Sequence, residues 1–166
     1  MGDAGAIVAL MTGEIDISHL QRRKIESRVL IPFIAACREK FGDGPTRELV
    51  AATIHSLAAG DGARWAEAFG SDIAGLRRVA EEVWAGGGSL ELEVIDQTAD
   101  SLDFNVARCR YAEFYKELGL ADLGGLIHCS RDHAMIDGFS DGLELTRRRT
   151  IMAGDSCCDF RFRRKS

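Results

Sequence analysis

Cys129, Asp132 and His133 stand at positions i, i+3 and i+4. On a helix that spacing places a thiol, a carboxylate and an imidazole on one face, within reach of one another. Such a trio can activate a thiolate, coordinate a metal ion or orient a substrate. The plainer alternative is a buried cysteine on a core helix beside an exposed Asp–His pair. His128 lies about 100° around the same helix from Cys129 and is the poorer partner.

A second candidate is Cys109, flanked by Arg108 and Arg110. It follows a strand pattern directly and precedes a helix pattern. The partial positive charge of a helix N-terminus and two arginines would lower its pKa. The alternative is a small apolar side chain at a tight joint. Glu113, one turn on, would pair with Arg110 or face a pocket. In Cys157-Cys158-Asp159-Phe160, strand alternation turns Cys158 inward with Phe160 and Phe162. Asp159 then points outward with Arg161. Cys158 therefore reads first as packing. Cys37 reads as structural, and His19 and His55 as surface or core histidines without clustered partners. The chain contains no C-x-x-C, H-E-x-x-H, G-x-S-x-G, P-loop or G-x-G-x-x-G motif.

The elements that must carry these residues follow from periodicity. Residues 18–41 repeat apolar positions at helical spacing, with Ile25, Val29, Phe33, Cys37 and Phe41 as the expected buried stripe and a bend at Pro32. Thr46 is expected to cap a second helix that buries Leu49, Val50, Ile54 and Leu57 and stops at Gly60-Asp61-Gly62. A third helix is expected over 63–85. After Gly86-Gly87-Gly88 the pattern alternates: Leu90, Leu92 and Val94, then Leu102, Phe104 and Val106, which reads as a hairpin. A short helix over 111–118 is closed by Gly119. Asp122 is expected to cap a helix running to about 138. Leu143 and Leu145 open a third strand expected to reach about Met152, Gly154-Asp155 reads as a turn, and a fourth strand begins at Cys158. The fold class is α+β, a helical N-terminal half packed with an antiparallel sheet of about four strands.

With 166 residues, one domain is expected, helical over 1–85 and α+β over 89–163. Formal net charge is −5, which disfavours a nucleic-acid surface. The basic runs at 147–149 and 161–165 read as a solvated strand face and a polar tail. No apolar run is long enough for a membrane span, and the apolar residues 7–11 lack the basic flank of a secretory signal. Five cysteines, two of them adjacent, read as reduced thiols in a cytoplasmic protein. The expected partner is a small molecule, with homo-oligomerisation allowed for.

The stretch from Arg108 through Tyr111, Glu113, Phe114 and Tyr115 to Gly124 resembles the L-2-amino-thiazoline-4-carboxylate hydrolase family. So do His128-Cys129-Ser130-Arg131-Asp132, Leu145-Thr146-Arg147, Gly154-Asp155 and Cys158-Asp159-Phe160-Arg161. The resemblance covers about residues 100–163. It implies hydrolytic opening of a 2-aminothiazoline ring to N-carbamoyl-L-cysteine, with no cofactor. The reacting carbon bears two nitrogens and a sulfur. Water adds there and the ring thiolate leaves, producing a urea. On this reading Asp132 holds the amidine-like nitrogens. Either Cys129 or Cys109 attacks, or His133 or Asp132 activates water. Arg108 or Arg110 binds the substrate carboxylate. Glu113, His128, Cys158 and Asp159 contact the substrate. His128 replaces an apolar or small residue of the family pattern, so a related cyclic amidine, imide or lactam competes as substrate. Two other classes stand beside this one. One is a non-catalytic ligand-binding module similar to the 4-vinyl reductase type. The other is a zinc or iron site on Cys109, Cys129, Asp132 and Cys158.

Overall fold

The computed structural model describes residues 17–165, so the apolar residues 7–11 lie outside it. In chain order the helices are α1 (His19–Phe41), α2 (Asp43–Phe69), α3 (Ile73–Arg78), α4 (Arg110–Glu117), α5 (Ala121–Gly124) and α6 (Arg131–Phe139). The strands are β1 (Leu90–Gln97), β2 (Ser101–Cys109), β3 (Leu143–Thr146) and β4 (Cys158–Arg164). They form one antiparallel sheet in the order β1-β2-β4-β3. The class is α+β.

Ser18 starts α1 by a reciprocal cap. Its hydroxyl accepts from the Gln21 amide (3.2 Å), and its own amide donates to the Gln21 side chain (3.0 Å). The exchange satisfies two donors that a helix start leaves orphaned. The face of α1 that turns inward is not the expected one. Ser27 and Ile34 are buried, whereas Ile25, Val29, Phe33 and Phe41 are exposed. Polar anchors decide this. The Ser27 hydroxyl meets the Tyr115 hydroxyl at 2.7 Å, and Arg23 reaches Asp61 at 3.0 Å.

The expected break at Gly60-Asp61-Gly62 is absent, and α2 runs straight through it. Gly62 is there for closeness. A Cβ at Gly62 would clash with the Met135 carbonyl and sit 2.8 Å from the Phe139 amide of α6. A Cβ at Gly138 would likewise strike the Ala59 backbone. The two glycines let the α2 and α6 backbones approach more closely than any side chain permits. Thr46 does not cap α2. Its hydroxyl donates to the Gly42 carbonyl (2.7 Å) within the first turn. Leu49 and Leu57 are exposed, and Ile54 is buried. The helix expected over 63–85 is interrupted at Gly70 (φ 92°). Asp72 then caps α3, its carboxylate accepting from the Gly75 amide at 2.8 Å. A π turn (Val79–Trp84) continues α3.

The single helix expected from Asp122 is also divided. α5 starts after Leu120 with no side-chain cap, a π turn (Gly125–Cys129) follows, and α6 begins after Ser130. Asp122 instead faces Arg38 and Arg47, at 3.5 and 3.6 Å. The third strand ends at Thr146, short of the expected length, because residues 147–150 leave the sheet. On β2 and β4 the expected alternation holds. Leu102, Phe104, Val106, Cys158, Phe160 and Phe162 are buried, and the Phe104 and Phe160 rings stack at 4.9 Å. Against this face pack Ala58 of α2, Leu76 of α3 and Met135 of α6. β1 and β3 are the edge strands, and on β1 Val94 is exposed beside a bulge.

The contact between α2 and α6 yields a paired test by chemical denaturation. Gly62→Ala should destabilise by roughly 3 kcal/mol, because the clashing atoms are backbone and cannot rotate away. Gly60→Ala, two residues earlier, meets only Arg64 Nη1 at 3.7 Å. It should stabilise by about 0.5–1 kcal/mol through helix propensity. Equal effects would remove close packing as the reason for Gly62.

Candidate functional site

A cavity of about 60 Å³ lies where the inner sheet face meets the N-terminal ends of α1 and α6. By size it holds several waters or a compact ligand. Cys109, His128, Cys129, Asp132 and Cys158 all line it, so five sequence candidates converge on one space. The others do not reach it. Arg108 is exposed and pairs with Glu113 at 2.6 Å and Glu91 at 3.5 Å. Arg110 and His133 are exposed. Asp159 is on the outer side of β4, holding backbone amides.

The π turn explains His128. A π turn carries more residues than an α turn, so successive side chains are separated by less than 100°. His128 and Cys129 can then share the cavity wall, and the ring of His128 stacks on Tyr111 at 4.2 Å. The same irregularity breaks the helical register that had placed His133 beside Cys129.

Arg147 does not belong to a solvated face. Its side chain is 9% exposed and pairs with Asp132, and its Nη2 donates to the Cys129 carbonyl (3.1 Å). Its guanidinium stands 5.4 Å from the Phe160 ring centre, and its buried Nε has no hydrogen-bond partner among the described residues. Asp159 Oδ1 accepts the Arg148 and Arg149 amides at 3.0 and 2.6 Å. Asp155 Oδ2 accepts the Thr150 amide at 2.8 Å, and Cys158 Sγ accepts the Ile151 amide at 3.2 Å. These bonds replace the missing sheet pairing and hold the loop that delivers Arg147.

Sequence reasoning also missed the far wall. His19 lines the cavity, with Nδ1 2.9 Å from the Tyr111 hydroxyl and Nε2 accepting from Arg23 at 3.2 Å. Because Arg23 can only donate, the neutral His19 carries its proton on Nδ1 and donates to Tyr111. Tyr111 in turn donates to the Trp84 carbonyl (3.2 Å). Arg23 and Arg131 share the Asp61 carboxylate, at 3.0 and 2.6 Å. His19, Asp61 and Trp65 also wall an outer basin, so this group is the partition between cavity and exterior. No motif announces it, since its members come from α1, α2 and α6. The capping signal at Ser18, which fixes where α1 begins, was the nearest clue.

Electrostatics here run opposite to the expectation for Cys109. Its Sγ does sit at the N-terminus of α4, accepting the Ala112 amide at 3.4 Å. Burial outweighs that bond and pushes the thiol up to about 11. The flanking arginines point away. Burial raises Cys129 to about 12 despite Arg147, and raises Cys158 as well. Burial, with Arg23 nearby, holds His19 at about 3. Burial and the surrounding positive charge hold His128 well below its ordinary value. The cavity therefore contains thiols and neutral imidazoles. Among the described residues, no group of three or more His, Cys, Asp or Glu side chains is placed to hold a metal ion.

The sequence profile of L-2-amino-thiazoline-4-carboxylic acid hydrolase matches residues 22–162. The chain belongs to this family. The match includes α2 and nearly all of α1, so it extends over the helical half as well as the C-terminal motifs. No curated protein matches the chain. Among solved structures, trafficking protein particle complex subunit 3 from Naegleria fowleri, covalently bound to palmitic acid, is similar at 13% identity with a TM-score of 0.49. The similarity covers 86% of this hydrolase-family chain and 97% of that one. No helix among the described residues is long and apolar enough to cross a membrane.

The two depressed histidines set an acid limit. Unfolded, each titrates near 6.5; folded, His19 titrates near 3 and His128 well below 6.5. Between those values the unfolded chain binds protons that the native chain does not, so stability falls as pH is lowered from about 6.5 toward 3. Each histidine contributes up to ~1.4 kcal/mol per pH unit in that window. Urea midpoints measured through it should decline, and His19→Gln should decline less steeply. Parallel slopes would clear His19 of the effect.

Proposed function

We propose that the chain hydrolyses a small cyclic amidine-like compound that bears a carboxylate, with 2-aminothiazoline-4-carboxylate as the leading substrate. The observation that carries this reading is the convergence of His128, Cys129, Asp132 and Arg147 on one cavity in a chain of this family. Asp132 gives Oδ2 to Arg147, which leaves Oδ1 to accept a substrate N–H. Arg131, already oriented by Asp61, has further N–H groups for the substrate carboxylate. This assigns to Arg131 the role first expected of Arg108 or Arg110.

Magnitudes favour water over a cysteine nucleophile. A thiol titrating near 12 is ionised on the order of once in 100,000 at pH 7. The neutral His128 imidazole can accept a hydrogen bond from the attacking water and orient it. Burial makes it a weak base, so it relays the water's proton toward the leaving sulfur and does not retain it. Water then adds to the carbon between the nitrogens and sulfur, the C–S bond breaks, and the sulfur leaves as a thiol. The three cavity thiols offer that sulfur a polarizable lining.

One observation favours a second reading, a binding module without turnover. The cavity thiols are all protonated, and the Asp132 charge is already paired with Arg147. Incubation with 2-aminothiazoline-4-carboxylate, followed by thiol release, separates the two. Hydrolysis should release one thiol per ring opened. His128→Gln should lower kcat/KM by about 100-fold or more, and Arg131→Gln should act mainly on KM. Cys129→Ser should stay within about tenfold of the parent. Loss of all turnover in Cys129→Ser would restore the covalent route. A thermal shift with no thiol release would establish the binding module.

A further inference from the structure

Six of the nine large apolar side chains exposed among the described residues lie on α1 and α2: Ile25, Val29, Phe33, Phe41, Leu49 and Leu57. Each is more than half exposed, from 53% for Ile25 to 69% for Val29. The two helices run antiparallel, since Arg23 bonds Asp61 and Phe33 and Leu49 wall one groove of about 140 Å³. Ile25, Val29 and Phe33 on one helix, and Leu49 and Leu57 on the other, therefore form neighbouring rows with the groove between them. Charge is absent from the middle of this face. Residues 29–37 and 49–60 contain no Asp, Glu, Lys or Arg, although much of both stretches faces outward. Charged residues return at both ends, which is the anatomy of an interface with an apolar centre and a polar rim.

We infer that two copies of the chain pair through this face, with α1 antiparallel to α1 of the other copy about a twofold axis at the level of Phe33. Area supports a second copy as the occupant. Six side chains at this exposure offer roughly 600 Å² per copy, most of the roughly 800 Å² per partner in a standard interface. That is the upper end of what a monomer leaves uncovered, roughly 300–600 Å². Charge supports the direction. Arg28 and Glu39 are exposed and have no ion-pair partner among the described residues. They are eleven residues apart, so they lie within about 20° of one line along the helix. A twofold axis midway between them places Arg28 of each copy against Glu39 of the other. A parallel arrangement would set like against like. None of the six side chains lines the cavity, so this inference stands apart from the proposed reaction.

The test is the mass of the full chain in solution, measured by light scattering or sedimentation over about a hundredfold range of concentration. The expected value is twice the 18.1 kDa of one chain, falling toward 18.1 kDa on dilution. Phe33→Glu should give 18.1 kDa at all concentrations with an unchanged circular dichroism spectrum. Arg28→Glu alone should raise the dimer dissociation constant about tenfold, and adding Glu39→Arg should restore it. The swap involves only exposed side chains, so it decides the matter even if Phe33→Glu misfolds. A parent chain that is monomeric throughout would overturn the inference. So would a Phe33→Glu dimer, or a charge swap that fails to restore pairing.

Discussion

The approach of α2 to α6 is the contact from which the cavity is built. Gly62 faces the Met135 carbonyl, and Gly138 faces the Ala59 backbone, with no side chain between. Asp61 immediately precedes Gly62, and Arg131 opens α6. The close crossing brings this acid and this guanidinium to 2.6 Å and draws Arg23 into the same group. Asp132, the next residue, is then turned to the cavity, where Arg147 meets it. A wider spacing would separate these charges and let water into the region that raises the thiols and holds the histidines neutral.

Much of the fold was legible in the sequence. Alternation identified β2 and β4, including which way Cys158 and Asp159 point. The Gly70, Gly119 and Gly154 turns all adopt positive φ, though only the last two were read as stops. The failures have one physical source. Local signals describe a residue's own chain, and tertiary contacts decided these places. Gly60-Asp61-Gly62 looks like a stop because glycine usually is one, yet here another helix requires the missing Cβ. The stripe through Ile25, Val29 and Phe33 is properly periodic. Polar anchors at Arg23 and Ser27 turn the opposite face inward.

The site was legible in part, and for a related reason. Cys129, Asp132, Cys109 and Cys158 were found by type and position, and all line the cavity. His133 was chosen on a straight-helix assumption that the π turn at Gly125–Cys129 removes. Arg147 was read as surface because three consecutive arginines usually are. One of the three is nevertheless among the least exposed charged side chains of the site. His19, Asp61 and Arg23 are dispersed along α1 and α2, so no spacing rule could have joined them to a cluster at 128–132.

The strand β4 pins the Arg147 loop from both of its faces. Cys158, on the inner face, accepts an amide from Ile151, and Asp159, on the outer face, accepts those of Arg148 and Arg149. A sheet whose pairing slipped by one residue would exchange inner and outer faces along the whole strand. The aromatic core would be lost, and with it both clasps on the loop, in a single step. Correct strand register and a correctly placed guanidinium are thus one condition. A mispaired molecule cannot keep a half-formed site.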